Sequence, residues 1–80
     1  MMEVTSVAKP DVGATIWSGT AKAGKRNFLW FYWPRHWLHV QEQEPGMPRC
    51  WMNIETPDGA RDQVLRAIRR AKRSPGKASN

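Results

Sequence analysis

His36, His39 and Cys50 are the side chains of this 80-residue chain best suited to bond chemistry. The three could ligate a metal ion, or Cys50 with a histidine could form a nucleophile and its base. Spacing argues against both. Residues three apart on a strand point to opposite faces, so His36 and His39 diverge. No fourth ligand stands at a zinc-type spacing. Cys50 alternates with Met52 and Ile54, as a core residue would. No glycine-rich phosphate loop and no pair of carboxylates in a shared cleft is evident. Neither a metal site, a cofactor nor catalysis is expected.

The remaining candidates are binding residues. Arg66, Arg69, Arg70 and Arg73 recur at helical spacing and form a basic stripe. With Arg61 and Lys72 they are the expected contacts to phosphates or to an acidic partner, and Lys77 adds to them. Charge placement strengthens this reading. Residues 1–60 hold six Lys/Arg and six Asp/Glu; residues 61–80 hold seven Lys/Arg and one Asp. The entire net charge of +6 therefore sits in the last quarter. Such asymmetry suggests an anionic partner, nucleic acid first among them. The blander alternative is a solvated helix face whose cations favour the negative end of the helix dipole.

Five tryptophans, two phenylalanines and one tyrosine, all between Trp17 and Trp51, supply the second candidate surface. They centre on FLWFYW, residues 28–33, which is large and apolar at every position. Strand geometry sends Phe28, Trp30 and Tyr32 one way and Leu29, Phe31 and Trp33 the other.

The elements that must position these residues follow from period and punctuation. Residues 1–13 read as a flexible or edge-paired arm. Strands are expected over 14–21, 27–33, 36–43 and 49–55. AKAGKR and EPGMP are turns. Pro34 either separates the second and third strands or bends one long strand. Thr56 is a candidate helix cap, with Pro57 at the first helical position. Ala60, Val64, Ala67, Ile68 and Ala71 form the apolar stripe of that helix, bordered by Leu65. Ser74-Pro75-Gly76 stops it, and 74–80 read as a disordered basic tail. The expected fold is α+β: an antiparallel sheet of three to four strands, with one C-terminal amphipathic helix packed on one face. Residues 14–73 form the domain.

Alternation assigns the faces. Cys50, Met52, Ile54, Leu38, Val40 and Ile16 belong with the helix. Leu29 and Phe31 are placed beside them, because Tyr32 favours a position with its hydroxyl near water. Trp17, Phe28, Trp30, Tyr32, Trp37 and Trp51 then fall on the opposite face as stacking or docking residues. An uncovered apolar face of that size marks an interaction site. Burial under the N-terminal arm, or pairing of two copies as a homodimer, would also cover it.

The function expected is therefore a small non-catalytic protein that engages nucleic acid or a nucleoprotein complex through its basic helix and aromatic sheet face. The alternative is an accessory protein of a phage or mobile element, of the anti-CRISPR type, that inhibits by docking on a host nucleoprotein. That alternative rests on small size and absence of motif. The aromatic strand invites comparison with RNA-recognition sheets, but RNFLWFYW lacks the glycine and small residues of their motif. One cysteine, no secretory leader and no apolar run of membrane-spanning length are the features of a cytoplasmic chain.

Overall fold

The computed structural model describes residues 2–35 and 37–73. Five strands and one helix follow in order: β1 (Glu3–Ala8), β2 (Trp17–Ala23), β3 (Arg26–Tyr32), β4 (Leu38–Glu44), β5 (Met47–Ile54) and α1 (Ala60–Arg73). The strands form one antiparallel meander in sequence order. The class is α+β, with five strands rather than three to four. The additional strand is β1, which pairs with β2 at the sheet edge. The segment expected as a disordered basic tail lies outside the described residues.

Turn chemistry fixes the registers. Gly24, at φ +61°, occupies the first central position of the two-residue β2–β3 turn, where a positive φ is required. Gly46 does similar work between β4 and β5 at φ +79°. Pro34 separates β3 from β4 instead of bending one strand. The Trp33 amide donates to the Trp37 carbonyl at 3.0 Å and closes that connection. Inside it Arg35 takes φ +70°, a left-handed conformation uncommon for a residue with a Cβ.

In β1 the register shifts between Val4 and Ser6. Thr5 and Ser6 both face Thr20, with hydroxyl–hydroxyl distances of 2.7 and 2.8 Å. The bulge lets Val4 and Val7, three residues apart, both pack against the core.

The helix begins later than its capping signals suggested. Gly59, at φ +76°, supplies the carbonyl for the first helical hydrogen bond, from the Gln63 amide at 3.1 Å. Pro57 stands in the preceding turn, where its carbonyl accepts from the Ala60 amide. Thr56 and Pro57 are therefore not the cap and first helical residue. The apolar stripe is as expected: Ala60, Val64 and Ile68 are buried, and Leu65, Ala67 and Ala71 are half-buried.

The core between sheet and helix contradicts the face assignment of β3. Trp30 is 0% and Phe28 1% exposed, and both pack with Val40, Leu38, Ala21, Val64 and Ile68. Tyr32 and Trp17 also pack against this core, half-buried. Leu29 and Phe31 lie on the other face. The cause is the volume opposite each residue. Cross-strand partners share a face, and the partners of Phe28 and Trp30 on β2 are Ala21 and Gly19. A Cβ at Gly19 would come within 2.6 Å of Trp30 Cζ2 and would also meet the Ser6 carbonyl. The missing side chain is the space into which the indole fits. Trp30 Nε1 donates to the Thr20 carbonyl at 3.2 Å, so its polar group is satisfied inside the protein.

Candidate binding surfaces

The residues expected to act together divide between two opposite sides of the molecule. On the helix side, Arg66, Arg69, Arg70 and Arg73 are exposed and line one shallow depression. Helical spacing of three and four residues places them together on the outer side of α1, with Arg70 also bordering β1. Among the described residues none of the four has an acidic partner. Only one acidic residue, Asp62, lies in α1, in its first turn. Uncompensated positive charge is thus concentrated on the last two turns, and the helix dipole favours the part of it in the final turn.

Arg61 and Lys72 differ from these four. The Arg61 guanidinium lies 5.9 Å from the centroid of Tyr32, and Lys72 Nζ lies 5.7 Å from that of Trp17. Both cations cover half-buried aromatics at the margin of the core. They rim the basic surface, while the quartet forms its centre.

The six expected stacking residues do not form one surface. Phe28 and Trp30 are inside the core, and Trp17 and Tyr32 lie on the helix side under Lys72 and Arg61. Their assignment to an outer aromatic face is corrected accordingly. Trp37 and Trp51 remain on the open face, Trp37 at 58% exposure and Trp51 half-buried. The structure joins to Trp37 three residues that alternation places inside or leaves unused, Phe31, Trp33 and His39, while Trp51 stands apart toward the other end of the face. Ring centroids are 5.5 Å apart for Trp33–Trp37, 6.4 Å for Phe31–Trp33 and 6.2 Å for Phe31–His39. They form a continuous row at one end of the open face. The available signal was small residues on β2 opposite Phe28 and Trp30, which leaves the odd-numbered residues of β3 outside.

Much of the rest of that face is side-chain amide. The Gln41 amide donates to Asn53 Oδ1 at 3.0 Å, and His39 Nε2 lies at the same distance from that atom. Asn27 donates to Gln43 Oε1 at 3.0 Å, and Gln43 donates to the Pro48 carbonyl. Trp51 walls a depression shared with Lys22, Asn27, Gln43, Thr5 and Thr20.

The one described ion pair stands on the helix side of the sheet. Arg26 grips Glu42 with two hydrogen bonds, Nε to Oε2 at 2.8 Å and Nη2 to Oε1 at 2.7 Å. These bonds hold the Glu42 carboxyl below the ordinary glutamate range, against an upward push from burial and with the guanidinium charge assisting. Arg26 is held more firmly protonated by the same bonds.

Cys50 is a half-buried free thiol. Among the described residues no group of three His, Cys, Asp or Glu could hold a metal ion. His36 lies outside those residues. Among the described residues no helix is long and apolar enough to cross a membrane. No protein-family model matches the chain, and no curated protein or solved structure matches it either.

Proposed function

We propose that this protein is a small non-catalytic binder of nucleic acid, alone or within a nucleoprotein complex, and that it grips phosphates with the outer face of α1. The observation that carries this reading is the quartet of Arg66, Arg69, Arg70 and Arg73, exposed around one depression without a described acidic partner. Guanidinium groups make bidentate bonds to phosphate oxygens. A rigid helix holds four of them at fixed spacing, which limits the entropy lost on binding. Arg61 and Lys72 extend the same surface toward its ends.

Release of counterions from a nucleic-acid backbone makes such binding strongly salt-dependent. Replacing the four arginines by alanine should weaken binding to a short DNA duplex. The slope of log affinity against log salt should fall by about 3–4. The substituted side chains are exposed, so the variant should melt like the parent. An unchanged slope in a folded variant rejects the reading.

A further inference from the structure

We infer that the open sheet face is a second nucleic-acid surface, one for unpaired bases, on the side of the molecule opposite the arginine quartet. It deepens the nucleic-acid reading of α1, but its residues and its test are separate.

Three observations lead to a single strand as the occupant. The first is the row of rings. Trp37, Trp33, Phe31 and His39 follow one another at centroid separations of 5.5–6.4 Å, and Trp37 is mostly exposed. Every base has a π-face, so such a row accepts successive bases with little dependence on sequence. The second is the amide field beside the row. Asn53 Oδ1 accepts from Gln41 and lies 3.0 Å from His39 Nε2, so side-chain amides that carry both donors and acceptors stand next to the rings. Paired donors and acceptors of this kind meet the edges of unstacked bases. Protein hot spots instead cluster in well-packed pockets, whereas Trp37 stands out at 58% exposure.

The third is the scarcity of negative charge. Of the acidic residues within the strands, Glu42 and Glu44 share the helix side with Phe28 and Met47, their register partners. On the open face the strands carry only Glu3, which is paired in register with Lys22. Lys22 is exposed and lines the depression walled by Trp51. From the level of Asn27 and Trp51 to that of Trp33 is six residues of β3 and its extension, roughly 20 Å. That span suits a short strand of about 4 nucleotides, the lower end of site sizes on aromatic sheet proteins.

The test measures anisotropy of a short fluorescein-labelled single strand, as DNA and as RNA, and of a labelled duplex. Variants are Trp37→Ala, Trp37→Phe, Phe31→Ala and the quadruple arginine-to-alanine protein. Trp37→Ala should weaken single-strand binding by about 5- to 150-fold, the value of one stacked base. It should leave duplex binding unchanged. Trp37→Phe should recover most of the loss, because a π-face remains. Thermal melts identify any variant that has lost its fold, and quenching of parent tryptophan emission by the unlabelled strand reports stacking without substitution.

The proposal is overturned if folded Trp37→Ala and Phe31→Ala proteins bind the single strand like the parent. It is also overturned if the parent binds duplex but no single strand. Failure of the α1 reading looks different: the quadruple variant would retain duplex binding, whatever the single strand does.

Discussion

Trp30 and Gly19 are one feature written at two positions. The indole lies across the bare Cα, so even a methyl at Gly19 meets ring carbons and the Ser6 backbone. Gly19→Ala should therefore destabilise the protein by about 1–3 kcal/mol, the usual cost of overpacking, whereas alanine in an open strand position helps. Urea denaturation measures this, and an unshifted midpoint would refute the packing argument. Arg35 is the opposite case: a side chain where the backbone favours none. Arg35→Gly should raise stability by about 1 kcal/mol by removing the left-handed penalty.

The Glu42 carboxyl is held below its ordinary range, so the unfolded chain takes up a proton at higher pH than the folded one. The pair's contribution is present above the ordinary glutamate range and disappears as pH falls through the lowered value. Glu42→Gln should flatten the acid side of the stability profile in that window. The interior position of Trp30 was not legible from alternation. Both faces of FLWFYW are large and apolar, so period alone cannot choose between them. The deciding information lay across the turn, in Gly19 and Ala21.

Elements were more legible than faces. Gly24, Gly46 and Pro34 mark three connections, and each stands in a turn or connection as turn chemistry requires. The helix stripe was legible because Ala60, Val64 and Ile68 obey one period and the arginines obey its complement. Val64 and Ile68 anchor α1 in the core, so Ile68→Ala should cost about 2–5 kcal/mol in chemical denaturation. Two features were obscured. β1 reads as aperiodic because its bulge puts Val4 and Val7 on one face at odd spacing. The helix start was displaced because Thr56 and Pro57 resemble a cap, while the turn at Gly59 places the first helical bond three residues later. Both are local irregularities, and a search for regular period passes over them.

At the scale of the molecule, sheet and helix make two unlike surfaces separated by the thickness of the sheet and a helix about 10 Å across. No single straight ligand touches both. The tryptophans divide likewise, and emission should show it. Trp30→Phe should remove a blue-shifted component that iodide does not quench, and Trp37→Phe a red-shifted one that it does. A homogeneous quenching curve in the parent would contradict the burial of one and the exposure of the other.

The packing of α1 against β1 brings the first and last elements of the described chain together. The meander between them is built from neighbouring hairpins, which close quickly because their loops are short. The clasp of helix on first strand is the one step that must close a loop of some fifty residues. Its entropic cost grows only slowly with length, so it delays folding more than it weakens the fold. On a ribosome the hairpins can pair as they emerge, but Trp30 stays wet until the helix is free of the exit tunnel. The largest fully buried side chain is one whose burial depends on the helix that follows all five strands.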